Sequence, residues 1–197
     1  LYMRIFLSVL VLIFSLQSWT KADDIKDFEI EGLSVGDSLL DFYDLSEINL
    51  SEDNPTYYPK SNKFKVIFFE SKTNELFDYL NITVKDNDKK YIIHGVRGEK
   101  EISLDSCFKM KNEQVKAIGN MLSKAKKRDY EGGYGDSYGN SKADITEFTF
   151  EDESMIRIFC ADYDDENEVV KNNLWKDSLE ISINSKEFSY FLTYEAY

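Results

Sequence analysis

Residues 64–98, FKVIFFESKTNELFDYLNITVKDNDKKYIIHGVRG, hold three β-forming runs separated by turn chemistry. Phe64 to Phe69 is rich in aromatic and β-branched side chains, which suit a pleated, half-buried surface. Glu70-Ser71-Lys72-Thr73-Asn74 reads as a turn, and Phe77, Tyr79 and the stretch Leu80 to Val84 form a second run. Asp86-Asn87-Asp88 marks a hairpin turn. A third strand follows through Tyr91, Ile93 and Val96, loosened by Gly95 and Gly98. Connections this short imply antiparallel pairing.

Upstream, Phe28, Ile30 and Leu33 alternate until Gly32 and Gly36 break the pattern. Ser34 or Asp37 can cap a helix through Leu39, Leu40, Phe42, Tyr43 and Leu45, and Glu47 to Lys63, with both prolines, reads as a loop. Downstream, Cys107, Met110, Val115, Ile118, Met121, Leu122 and Ala125 recur at helical spacing and predict a helix over Leu104 to Arg128. Lys124, Lys126, Lys127 and Arg128 would complement the dipole of its last turn. Asp129 to Asn140 holds four of the nine glycines among Tyr130, Tyr134 and Tyr138 and reads as a mobile loop.

Ile145 to Phe150 resumes β structure. Met155 to Tyr163 then puts Ile156, Ile158 and Cys160 on one face, Arg157 and Phe159 on the other. An acidic loop, Asp162 to Glu168, leads through Trp175 to the strand Leu179 to Ile183, and Asn184 or Ser185 caps a last helix bearing Phe188, Phe191 and Leu192. The predicted fold is α+β: an antiparallel sheet of about six strands in two three-stranded meanders, packed on one face by two or three helices. The order suggests two related halves, 34–98 and 104–184, within a single domain over 23–197.

Before that domain, Arg4 and the apolar run Ile5 to Leu16 resemble a secretory leader, and Thr20-Lys21-Ala22 offers a peptidase site. Twelve apolar residues rise about 18 Å as a helix, short of the roughly 30 Å hydrocarbon core, so a cleavable signal over 1–22 is expected rather than a stable anchor. Export to the periplasm or beyond follows. There an oxidising compartment favours a bridge between Cys107 and Cys160, the chain's two cysteines, closing a loop of about 54 residues. No cysteine adjoins the cleavage site to take a lipid. An outer-membrane barrel fits poorly, because Thr193 and Glu195 interrupt the alternation leading to Tyr197.

The formal net charge is −13, and −15 once Arg4 and Lys21 leave with the leader. Such a surface repels nucleic-acid phosphates and anionic lipid. His94 is the lone histidine, inside a strand and without a nucleophile motif, so neither a Ser-His relay nor a zinc site of N/S ligands is expected. Asp86-Asn87-Asp88 and the group Asp162, Asp164, Asp165 and Glu166 are the best sites for a hard cation. The former lacks the glycine and glutamate of a helix-loop-helix calcium loop. No phosphate loop or dinucleotide fingerprint occurs, and no cofactor is expected. Tyr130, Tyr134 and Tyr138 offer flat amphipathic surface on which a ligand could stack.

Ile30-Glu31-Gly32-Leu33-Ser34-Val35-Gly36-Asp37-Ser38-Leu39-Leu40, Tyr91-Ile92-Ile93-His94-Gly95, and Ser185-Lys186-Glu187-Phe188 with the closing Glu195-Ala196-Tyr197 resemble a group of small exported proteins of marine bacteria. The resemblance implies location and fold type. More loosely, a glycine-bounded strand, a short helix and a meander are similar to periplasmic adaptor and enzyme-inhibitor folds. The expected function is a non-catalytic module binding another envelope protein or a small ligand. A hydrolase working through two carboxylates and an acidic cation-binding protein are the alternatives.

Overall fold

The computed structural model describes residues 24–51, 55–73, 76–122 and 124–197. The expected leader, 1–22, lies outside them. Among the described residues, no helix is long and apolar enough to cross a membrane.

Eight antiparallel strands build one open sheet: β1 (Thr56–Tyr58), β2 (Ser61–Glu70), β3 (Tyr79–Lys85), β4 (Ile93–Glu101), β5 (Lys126–Gly133), β6 (Lys142–Thr149), β7 (Met155–Asp162) and β8 (Ser178–Asn184). Their order is β1-β2-β3-β4-β8-β7-β6-β5. The α+β class and antiparallel pairing are as expected. The meanders, however, have four strands each and not three. The second starts at the far edge and walks back until β8 pairs with β4.

The two extra strands come from segments with weak local signals. β1 lies between Pro55 and Pro59, inside the expected loop, beside a short helix α1 (Leu45–Ser51). β5 takes the basic run assigned to the long helix together with the first glycines of the expected mobile loop. The helix α2 spans Leu104–Met121, and Lys126, Lys127 and Arg128 pair with Thr149, Phe148 and Glu147. Lysine and arginine tolerate a helix well, so the local pattern did not mark this boundary. The ladder with β6 and the packing of Leu122 and Ala125 on the core override it. The helix expected near Leu39 is a single 3-10 turn, Leu39–Asp41, capped by Ser38.

The inner face carries Ile67, Phe69, Leu80, Ile82, Val96, Ile156, Ile158, Leu179, Ile181 and Ile183, all buried. The helix α2 covers one part of this face and the 24–45 segment another, the latter stitched to the start of β4 by Gly36 N–H to Ile93 O at 2.9 Å and Ile93 N–H to Asp37 O at 2.9 Å. Buried positions on α2 are Cys107, Lys111, Gln114 and Ile118, one helical stripe. Lys111 reaches out of it to Asp144 at 2.8 Å. Cys107 is bonded to Cys160 of β7 with Cα atoms 5.9 Å apart, so the bridge pins helix to sheet.

Helices flank both faces, which corrects the one-sided arrangement expected. The last helix, α4 (Lys186–Tyr194), is capped by Ser185 and packs Phe188 and Phe191 on Phe64 of the outer face. Two strand glycines make room for rings. A Cβ on Gly95 would sit 2.8 Å from Phe188, and one on Gly98 2.6 Å from Phe77. Both glycines lie within β4 rather than ending it.

Candidate functional site

Strand register places a polar row on the outer face: Asn81, Arg97, Ser182, Arg157 and Glu147, one from each of β3, β4, β8, β7 and β6. A second row beside it contains Glu99 and Glu180, directly opposite each other on β4 and β8. Alternation turns many of the apolar members of these strands to the inner face, so the first of these rows is polar.

Arg97 Nη1 lies 2.9 Å from Glu180 Oε2, yet the N–H does not point along that line. Glu180 Oε2 and Asn81 Oδ1 are buried without a hydrogen-bond partner among the described residues. The Glu180 side chain is 2% exposed and that of Arg97 39%. Burial pushes the Glu180 carboxyl well above the usual range, against the pull of Arg97. Burial also works against charge on Arg97, but Glu180 and Glu99 outweigh it and hold the guanidinium protonated. Across Ser182, Arg157 donates from Nε to Glu147 Oε2 at 2.8 Å, and Glu147 also accepts from Arg128 and from the Tyr130 hydroxyl at 3.2 Å.

Four rings stand beside this floor. Tyr134 precedes and Tyr138 ends a 3-10 turn (Asp136–Tyr138), Tyr163 follows β7, and Trp175 follows α3 (Glu168–Asn173). Their contacts close a circuit, with centroids 6.2 Å apart for Tyr134–Tyr138, 5.5 Å for Tyr138–Trp175, 5.6 Å for Trp175–Tyr163 and 5.2 Å for Tyr163–Tyr134. Burial first, then the Glu180 charge, push the Tyr134 and Tyr163 phenols up, which sets both near that carboxylate. Tyr58 and Tyr197, 6.0 Å apart, stand on the Arg97 side.

The glycine-tyrosine segment was expected to be a mobile connector. Hydrogen bonds tether it to the 164–167 segment. Asn140 N–H donates to Asp164 Oδ2 at 2.9 Å, Asp164 N–H to Ser141 Oγ at 2.9 Å, and the Asn167 amide to Ser137 O at 3.3 Å. Gly139 has φ +63°, and Asp164 and Asn167 occupy the space a Cβ would need. The structure therefore brings Tyr134 and Tyr138 together and joins them to Tyr163 and Trp175. Tyr130 stands apart, on β5, with Arg128 4.3 Å over its ring.

The remaining sequence candidates have structural work. Asp164 is consumed by these tethers, which hold its carboxyl below the usual range, while Asp162, Asp165 and Glu166 border an open depression of about 580 Å³ with Asn140, Lys142 and Tyr163. Asp88 accepts from the backbone N–H groups of Lys90 and Ile92, closing the β3–β4 turn. Among the described residues, no group of three or more His, Cys, Asp or Glu is arranged to hold a metal ion. His94 Nδ1 contacts Ser185 Oγ at 3.3 Å and Glu187 Oε2 at 3.9 Å. Both partners share one ring nitrogen, whereas a relay needs the nucleophile and the orienting acid on opposite nitrogens. Ser185 Oγ also accepts from Phe188 N–H, so the group is a helix cap. Burial, then Lys85, lowers the His94 pKa.

Arg97, Glu180, Asn81, Tyr163 and Trp175 were missed as site residues. Alternation along Met155 to Tyr163 could have flagged Arg157 and Tyr163 as sharing a face. Nothing local in the sequence reports that β8 joins β4. Comparison of the chain with protein-family models, curated proteins and solved structures returns no match.

Proposed function

We propose that the chain is an exported, non-catalytic binding protein of the periplasm or extracellular space, with the outer sheet face at the aromatic circuit as its ligand seat. One observation carries this reading: Arg97, partly accessible and ion-paired with Glu180 without an aligned hydrogen bond, lies beside buried acceptors that have no hydrogen-bond partner among the described residues, next to the aromatic circuit. Buried polar groups are almost always satisfied, so this set is suited to completion from outside. The Cys107–Cys160 bridge supports an oxidising compartment. The ligand is a small molecule or a segment of another envelope protein, and the chain's negative charge disfavours nucleic acid.

Trp19 leaves with the leader, so Trp175 is the sole tryptophan of the processed chain and reports on the seat directly. Screening small-molecule mixtures by Trp175 fluorescence and amide NMR should perturb residues 134–141, 163 and 175–182 together. If every binder instead moves amides elsewhere, the seat is wrongly placed. Fractionation of expressing cells should recover a chain beginning at Asp23, and retention of residues 1–22 in the mature protein would refute export by cleavage.

One observation favours a second reading. Glu99 and Glu180 oppose each other with Glu180 raised, which is how two carboxylates divide acid and base roles in glycoside hydrolysis. Turnover of chromogenic glycosides that vanishes in Glu180→Gln would establish it.

A further inference from the structure

We propose that the seat takes a small hydroxylated carboxylate of the sugar-acid type, its carboxylate held between Arg97 and Arg157 and its hydroxyls donating to Glu180 and Asn81. The inference rests on the binding reading above and names the ligand chemistry.

The two arginines flank Ser182 in one lateral row. Two strand spacings put their backbones about 9–10 Å apart, a span their side chains can close on one anion. Arg97 meets Glu180 without an aligned bond, and Arg157 gives only Nε to Glu147 among the described residues. That leaves the outer N–H groups of both forks for a planar acceptor, the geometry a guanidinium serves best.

A bare anion would leave the second set of groups unmet. Glu180 Oε2 and Asn81 Oδ1 are acceptors, each on a residue 2% exposed, and each flanks Arg97 on the same face. A ligand carrying donors, hydroxyls above all, would satisfy them. The neighbouring rings add a flat surface for the C–H face of a sugar ring. One compact ligand class meets all three demands: a carboxylate, several hydroxyls and an apolar face.

The test uses the processed chain with D-glucuronate, D-glucose and benzoate as probes, read by Trp175 fluorescence and calorimetry at millimolar concentrations. Glucuronate should bind saturably, with glucose and benzoate each at least tenfold weaker. Arg157→Gln should weaken glucuronate at least tenfold and leave glucose unchanged. That variant should fold, since Arg128 still pairs with Glu147 at 3.4 Å, and a thermal melt checks it. Arg97→Lys, which keeps the charge and loses the fork, should weaken glucuronate several-fold.

Benzoate binding as well as glucuronate would overturn the hydroxyl assignment. Glucose binding as well as glucuronate, with Arg157→Gln silent and Tyr138→Ala weakening both, would overturn the acid assignment and spare the seat. No saturable response to any probe would overturn the ligand class, and loss of the seat itself would show separately in the mixture screen.

Discussion

Reducing the bridge between Cys107 and Cys160 should remove about 4 kcal/mol of stability. The two residues lie 53 apart in sequence, and the chain-entropy expression for a loop of that size gives this value at room temperature. Domains are typically stable by about 5–15 kcal/mol, so the loss is a large share of the total. Cys107 is 0% exposed and Cys160 1%, and reduction keeps both sulfurs in place, so no cavity adds to the effect. With a urea slope of about 2 kcal/mol per molar, the midpoint should fall by about 2 M on adding a phosphine reductant. The double variant Cys107→Ala/Cys160→Ala should fall further, because it also leaves a void. Hydrogen exchange should rise first in α2, which the bridge ties to β7. A midpoint shift below about 0.5 M in the fully reduced protein, confirmed by thiol alkylation, would refute the loop-closure reasoning.

Gly98→Ala should cost about 1–3 kcal/mol in thermal melts, because its Cβ meets the buried Phe77 ring at 2.6 Å, while Gly133→Ala, with open space, should stay within about 0.5 kcal/mol. Glu147→Ala should cost about 3 kcal/mol by leaving Arg157 without its partner, whereas Arg128→Gln, whose side chain is 64% exposed, should cost under about 1 kcal/mol; equal losses would refute the distinction. Burial pushes Glu180 up to about 7 from the ordinary 4.5, so its contribution is full at acid pH and declines as pH rises through that window. The stability of the wild type relative to Glu180→Gln should therefore fall between pH 4.5 and about 7 in urea titrations, and a flat or rising difference would count against a raised carboxyl.

Legibility in the sequence followed how local each signal is. Period-two alternation in Met155 to Tyr163 survives in the folded strand because the face with Ile156, Ile158 and Cys160 is buried, and the β-rich run Phe64 to Phe69 lies within β2. Ser185 caps α4 as its position suggested, a contact made within three residues. The disulfide was readable because two cysteines allow one intramolecular pairing. β5 was not readable. Its residues are almost all exposed, so no apolar alternation marks the strand, and only the ladder with β6 makes it one. Tyr134 and Tyr138 were flagged by composition, but the hydrogen bonds that tether their segment come from Asp164 and Asn167, far along the chain.

The same logic explains why the seat lies where it does. The two arginines come from different meanders: β4 of the first carries Arg97 and β7 of the second carries Arg157. They become neighbours only because β8 inserts between β4 and β7, which requires the second meander to begin at the distant edge and return. The helix α2 makes that crossing, and the bridge fastens it to β7 on the opposite side of the sheet from the seat. The polar floor is thus assembled by the pairing of β4 with β8. Pairing of β4 with β8, and not either half, is what brings Arg97 and Arg157 into one row on the proposed seat.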